Sequence, residues 1–277
     1  MTIRRMLPSD RAAAQKMWQE IFEEKPAFAA YYFENRFYPQ YSFGAFENDA
    51  LIAMTLGRPT VIRAENREHK ALLVAGVSTL ERYRGRGLMH ALMTRLIDNA
   101  KESGFSCCYL HPVSESLYAS LGFQNGTYAR IVRSCKERAH KPFALKEGTR
   151  WNDLLSVYQT LYLTHDGMQK RDETECKTVF ADYATDGAET LIAYAENRPV
   201  GYICYSETGE VFELFALCSP AYAFLLDKAA EHTGRELKAS APTDCGMEGE
   251  RVYSMQYLVF DDAFRLPLRN GFCRLAY

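Results

Sequence analysis

The sequence has 277 residues, enough for one large domain or two of ordinary size, and its 47% hydrophobic and 25% charged content is that of a chain able to bury a full core. A formal net charge of −2 gives no general attraction to nucleic acid or an anionic membrane, and no apolar run approaches the roughly 20 residues needed to span a bilayer. Basic residues are instead concentrated at Arg82, Arg84 and Arg86, which favours a small anion over a polymer as ligand.

Met1 to Pro8 carries Arg4 and Arg5 with no long apolar core behind them, so no signal peptide is expected and the cytoplasm is the expected location. The 8 cysteines suggest neither a disulfide framework nor a metal site. No C-x-x-C occurs, and Cys107 and Cys108 are adjacent on a strand-like run, where consecutive side chains face opposite ways. Reduced, mostly buried thiols are expected, and no metal.

Along the chain, Ser9-Asp10 is placed to cap a helix starting near Arg11, with Ala14, Met17, Trp18, Ile21 and Phe22 at helical spacing. Pro26 breaks that pattern, and a second, aromatic helix follows through Phe28, Tyr31, Tyr32 and Phe33. Strands are expected over Ser42 to Phe46, Leu51 to Leu56, Val61 to Ala64 and Ala71 to Thr79, with turns at Glu47-Asn48-Asp49 and Glu65-Asn66-Arg67-Glu68. After a glycine-arginine turn, Leu88, Met89, Leu92, Met93, Leu96, Ile97 and Ala100 line one face of a helix that Gly104 can stop. Phe105 to Leu110 reads as a strand and Ser116 to Ser120 as a short helix before Gly122-Phe123.

The basic stretch from Lys136 to Lys146 is the candidate boundary, dividing the chain into 1-140 and 141-277. Beyond it the order recurs: helices over Trp151 to Tyr162 and Thr174 to Tyr183, then strands over Leu191 to Ala195, Val200 to Tyr205 and Val211 to Leu217. A helix over Ala221 to His232, ended by Gly234, and a strand over Glu236 to Ala241 complete the second series. Where the first half has Arg-Tyr-Arg-Gly-Arg-Gly ahead of its helix, the second has Leu217-Cys218-Ser219-Pro220-Ala221 and no glycine. The pattern predicts an α/β duplication in which one copy kept an anion loop.

A strand feeding a glycine-rich turn and a helix is a device for holding phosphate, because a helix N-terminus leaves N–H groups unpaired at the positive end of its dipole. Gly85 and Gly87 let the backbone approach a pyrophosphate without a Cβ in the way, and Arg82, Arg84 and Arg86 add charge. The loop lacks the closing Lys-Ser/Thr of a P-loop and does not fit G-x-G-x-x-G, which argues against nucleotide hydrolysis and a dinucleotide fold.

Arg82 to Gly87 resembles the R/Q-x-x-G-x-G/A cofactor loop of the GNAT superfamily of N-acetyltransferases. Three flanking features agree: the strand Ala75-Gly76-Val77-Ser78-Thr79, the next strand Cys107 to His111, and Leu117-Tyr118-Ala119-Ser120-Leu121-Gly122-Phe123 against the family's Y-x-x-x-G-F/Y. More narrowly, the chain resembles the enhanced-intracellular-survival type, which pairs a working acetyltransferase domain with a degenerate second one. That resemblance implies an α/β (α+β mixed sheet) fold of tandem GNAT-like domains. It departs in one respect: the family carries a third, sterol-carrier-like domain, and after the second copy this chain has only Val252 to Tyr277.

The resemblance implies acetyl-CoA as cofactor, held by Val77, Ser78, Thr79, Arg82, Arg84, Gly85, Arg86, Gly87, Leu88 and Met89. It implies that Tyr118 protonates the coenzyme A sulfur and that a terminal carboxylate, here that of Tyr277, acts as base. Glu81, Glu115 and ordered water are alternative bases, each acid also reading as plain surface charge. Tyr118 also reads as a buried aromatic with a hydrogen-bonded hydroxyl, His111 as a strand-end hydrogen bonder, and Met89 and Met93 as core. No cysteine stands beside an evident base, so direct attack by the amine is expected. The acceptor, a small-molecule or peptide amine, is expected near Glu23, Glu24, Tyr31, Tyr32, Phe33 and Glu34. An acyl-CoA-binding module without turnover, or an interaction scaffold, is the alternative, and homo-oligomerisation is left open.

Overall fold

The computed structural model describes residues 1–136, 143–261, 264–268 and 271–272. After strand β1 (Thr2–Arg5), Asp10 accepts the N–H of Leu7 (2.7 Å) and pairs with Arg4 (2.7 Å), which fixes the entry into helix α1 (Arg11–Phe22). Ala14, Met17 and Trp18, one helical face, are its buried residues. Glu23 ends it in a left-handed conformation, and Pro26 then occupies the first turn of α2 (Pro26–Asn35). The proline read as a break is therefore a start, since its missing N–H has no acceptor to lose there.

Strands β2 (Phe43–Glu47), β3 (Ala50–Ala64) and β4 (Arg67–Thr79) form the meander. Its turns hold Asn48 and Asp49, then Glu65 and Asn66, all at positive φ, the geometry that matches the twist of a tight hairpin. The two strands expected over 51–56 and 61–64 are one continuous β3 despite Pro59. Pairing with β2 stops at Thr55, so Pro59 lies where β3 has β4 alone as a strand neighbour, and a missing N–H is tolerated. Helix α3 (Leu88–Glu102), β5 (Cys107–Leu110) and β6 (Gln124–Arg133) follow.

The second series is β7 (Ala144–Glu147), α4 (Trp151–Tyr162), α5 (Glu173–Ala184), β8 (Ala188–Ala195), β9 (Arg198–Ser206), β10 (Val211–Ala216), α6 (Ser219–Thr233), β11 (Lys238–Ala241) and β12 (Glu250–Val259). Strands β10-β9-β8-β7 make a 4-stranded antiparallel sheet. Its side chains alternate as a pleat requires: Ile192, Tyr194, Tyr202 and Cys204 pack in the cluster under α4 and α5, and Leu191, Ala193, Ile203 and Tyr205 in the cluster under α6. The first half repeats this sandwich, with α1 and α2 over one face of its sheet and α3 over the other.

The larger sheet has 8 strands in the order β1-β2-β3-β4-β5-β12-β6-β11. Strand β12 lies between β5 and β6, antiparallel to both, and β11 closes the edge. A cut at 140/141 therefore does not follow the sheets, because two strands from beyond it complete the first one. The strands β6, β7 and β12 were not evident in the sequence; β6 and β12 mix polar with apolar residues.

Candidate functional site

Strands β4 and β5 run parallel but pair only at Ala71↔Cys107, Leu72↔Cys108 and Leu73↔Tyr109. Beyond that point β4 continues to Thr79 while β5 ends at Leu110, so a wedge opens and leaves the backbone of β4 unpaired on that side. On its other side β4 is bulged. Ser78 opposes Met54 and Ala75 opposes Leu56, so Gly76 and Val77 share Thr55. Gly76 needs to be glycine: its φ is +57°, and a Cβ there would sit 2.6 Å from the Trp18 ring. The Ser78 hydroxyl is buried beside the wedge without a hydrogen-bond partner among the described residues.

The chain leaves β4 through a short turn at Glu81–Tyr83 and reaches α3 by way of Gly85 (φ +75°) and Gly87 (φ +73°). A Cβ on either glycine would meet nothing within 4 Å, so both are held open for a backbone approach. The first intrahelical bond of α3 runs from Ala91 N–H to the Gly87 carbonyl (3.1 Å), which leaves the N–H groups of Leu88, Met89 and His90 pointing out of the helix end. Arg82 and Arg86 lie against the Tyr83 ring, 5.2 and 5.0 Å from its centroid, and the Tyr83 hydroxyl donates to Glu47 (2.5 Å). Arg84 donates to the Thr79 carbonyl (3.3 Å). Among the described residues no carboxylate pairs with these three arginines. Val77, Ser78, Thr79, Arg82, Arg84, Gly85, Arg86 and Gly87 are thus gathered at one end of the wedge. Leu88 and Met89 contribute backbone only, since their side chains pack into the core, where Met93 is fully buried.

Tyr118 is 5% exposed, in the core cluster that holds Leu88, Leu110 and Phe123. Burial pushes its phenol pKa up, so the ring is neutral and keeps its proton through ordinary pH. Of the other base candidates, Glu81 opens the turn after β4, and Glu115 accepts from Asn125 (3.1 Å). Tyr277 lies outside the described residues.

On the α1–α2 side, a cavity of about 510 Å³ lies between the halves. Glu23 and Glu24 line it as expected; Tyr32 and Phe33 do not, each being 1% exposed in the core, and the Tyr31 hydroxyl is spent on the Thr178 carbonyl (3.0 Å). Glu34 is absent from its wall as well. Sequence reasoning missed Asp182, Asp186 and Glu210, which come from the second half, and Ser254 and Met255 of β12. One signal was available: Asp182 stands on the stripe of Cys176, Val179, Phe180 and Tyr183 that α5 buries, an acid where the pattern calls for an apolar residue. His111, the first residue past β5, also lines the cavity, and its Nδ1 is 2.6 Å from the Ser254 carbonyl. A carbonyl can only accept, so Nδ1 carries the hydrogen, and in the neutral ring Nε2 is the free acceptor.

Asp182 pairs with Arg36 (3.1 Å), both side chains 2% exposed. Burial pushes its carboxyl up to about 7, against the lowering effect of Arg36 and Arg58 and with help from Asp186 and Glu24. A carboxyl raised from 3.8 binds more protons folded than unfolded, so its contribution to stability falls as pH rises from about 4 to about 7. The thermal midpoint of the native protein minus that of Asp182→Asn is therefore expected to shrink over that range. A difference that widens with pH would show the ion pair to be net stabilising.

Among the described residues no cluster of potential ligands could hold a metal ion, and no helix is long and apolar enough to cross a membrane. No curated protein matches the chain. Solved structures do. A conserved protein of Enterococcus faecalis V583 is 17% identical with a TM-score of 0.74, over 93% of this chain and 72% of that one. A GCN5-related N-acetyltransferase of Anabaena variabilis is 13% identical with a TM-score of 0.73, over 93% and 72%. Eis1 of Mycobacterium abscessus is 15% identical with a TM-score of 0.69, over 94% and 74%. At these identities the likeness is one of fold, and it extends over both halves. The family model described as an acetyltransferase (GNAT) domain matches residues 2–126, the span that contains the wedge, the glycine-arginine loop and Tyr118. Residues 2–126 are a GNAT acetyltransferase domain, the domain of an acyl-transferring enzyme.

Proposed function

We propose that the chain moves an acetyl group from acetyl-CoA to a primary amine by direct attack. The observation that carries this reading is the wedge between β4 and β5, which opens beside three outward N–H groups and a run of arginines that have no carboxylate partner among the described residues. A pantetheine arm fits against the unpaired edge of β4, and a pyrophosphate against the α3 N-terminus with Arg82, Arg84 and Arg86. The open space at Gly85 and Gly87 supports that fit.

Bound acetyl-CoA supplies the thioester whose C–S bond breaks as the C–N bond forms. Backbone N–H groups at the Gly76–Val77 bulge polarise its carbonyl. Tyr118 gives its phenolic proton to the departing sulfur, a role that suits a phenol kept neutral by burial. His111 Nε2 takes the proton the amine must shed, directly or through water, while Ser254 holds the ring by Nδ1. The first half, 1-140, is in this reading the acetyltransferase domain, its sheet completed by β11 and β12 from beyond that boundary. The second, 141-277, is a degenerate copy without a pyrophosphate loop that walls the acceptor cavity, in a protein of the cytoplasm.

Release of free thiol from acetyl-CoA by the full chain, followed across a panel of amines, tests the reading. Amine-dependent thiol release supports it. Acetyl-CoA binding without release for any amine would turn the protein into an acyl-CoA-binding module.

A further inference from the structure

The two faces of the sheet at the wedge are covered differently. On the α3 side lie Leu110 and Tyr118, with Val77 packed against them. On the α1–α2 side lie Trp18, Leu56 and Ala75. Gly76, in the bulge of β4, gauges how close that second cover stands. A Cβ built on it would lie 2.6 and 2.8 Å from Cζ3 and Cε3 of Trp18, and 3.1 Å from Cδ1 of Leu56. The space between β4 and the indole does not admit even one methyl group on the strand itself.

A side chain can act as a stop only if it cannot yield. Trp18 is 4% exposed, and other rings brace it: the centroids of Tyr32, Phe22 and Phe33 lie 4.7, 5.0 and 5.8 Å away, Tyr32 stacked and Phe33 edge-on. Tyr32 and Phe33 are themselves buried. A displaced indole would have to push two further core rings, and interiors packed to this density resist added methylenes. The bulge is also where the acyl carbonyl is placed above, so a bound acyl group begins beside the indole edge. It cannot run deeper between the strands, because Leu73 and Tyr109 pair there. Val77 and Tyr118 fill the α3 side. Carbons beyond the acetyl methyl are thus directed at Trp18.

Resting on the acyl-CoA reading above and deepening it on the donor side, we propose that Trp18 limits the length of the acyl group: the wedge takes acetyl and rejects butyryl and longer chains.

Calorimetric titration of the full chain with coenzyme A, acetyl-CoA and butyryl-CoA is the test. The native protein is expected to bind butyryl-CoA about tenfold or more weakly than acetyl-CoA, the scale of discrimination that extra methylenes meet in a closed pocket. Trp18→Leu, which keeps an apolar side chain on α1, is expected to remove most of that preference and leave the affinity for coenzyme A unchanged. A general loosening of the fold would instead weaken all three ligands together. Thiol release from the two thioesters, with one amine, should show the same change in the ratio of kcat/KM. A second measurement does not depend on how well Trp18→Leu folds. The chain has 2 tryptophans, so Trp151→Phe leaves Trp18 as the sole indole emitter. Acetyl-CoA is expected to shift its emission beyond the shift given by coenzyme A. Equal binding of the two thioesters by the native protein, a preference that survives in folded Trp18→Leu, or identical emission with coenzyme A and acetyl-CoA overturns the proposal and leaves the acetyltransferase reading standing. Absence of binding by all three ligands overturns both.

Discussion

Replacing Gly87 by glutamate is expected to abolish acetyl-CoA binding and leave the fold intact. The position has φ +73°, so any L-residue there carries a backbone cost of about 1–2 kcal/mol. No atom lies within 4 Å of the added Cβ, so no steric cost is added to it. The new carboxylate would project from the N-cap of α3, beside the N–H groups of Leu88, Met89 and His90, where the helix dipole favours an anion. The variant would thus fill the anion site with its own side chain. Loss of several charge-assisted hydrogen bonds, each worth about 1.5–3 kcal/mol, corresponds to a fall in affinity of about 10³-fold or more. Calorimetric titration of acetyl-CoA reads the affinity, and a thermal melt checks that the fold survives. Affinity unchanged in Gly87→Glu would place the phosphates elsewhere and remove the main support for the acetyltransferase reading. Gly87→Ala, with the same backbone cost and no charge, is expected to bind far better than the glutamate variant.

Tyr118→Phe is expected to lower kcat by about 10²-fold or more, the lower end of what a positioned acid contributes. Phenylalanine preserves the ring, which packs 5.9 Å from that of Phe123 and in the same cluster as Leu88 and Leu110, so the site keeps its shape. The KM for acetyl-CoA should move little, because the hydroxyl acts on the departing sulfur rather than on the bound ground state. The upward shift of the phenol by burial means that the native enzyme keeps this acid protonated well into the alkaline range. Steady-state kinetics of thiol release across pH separates the outcomes. A fall in kcat of less than about threefold would reduce Tyr118 to a packing residue and leave proton delivery to solvent.

What could be read from the sequence was whatever local chemistry dictates. Gly85 and Gly87 are needed where the backbone turns left-handed, Asn48, Asp49, Glu65 and Asn66 mark hairpin turns, and the stripe from Leu88 to Ala100 has a helix period, so these elements stand where the residues put them. The two strands expected over 51–56 and 61–64 are one strand through Pro59, and the reason is instructive. A proline breaks a strand that has partners on both sides, and which side β3 leaves open is decided by β2, not by the proline's neighbours in the chain. The placement of β12 was illegible for the same cause, since pairing between residues so far apart leaves no local mark. The cavity suffered most. Asp186 and Glu210 look like ordinary surface acids, Asp182 stands out only as an acid on an apolar stripe, and it takes the packing of α2 against α5, through Arg36–Asp182 and Lys25–Asp186, to bring them into one cavity with Glu23 and Glu24.

The position of β12 bears on how the protein comes to life during synthesis. A nascent chain that has released everything through β6 has a gap in the middle of its main sheet, because the strand that bridges β5 and β6 is still being made. It has the phosphate loop, but His111 has no Ser254 carbonyl to orient it, and the cavity lacks the wall formed by Ser254 and Met255. Pairings of such long range close late, after the local hairpins and helices have formed. The wall of the cavity formed by Ser254 and Met255 is therefore completed by a strand translated long after the glycine-arginine loop.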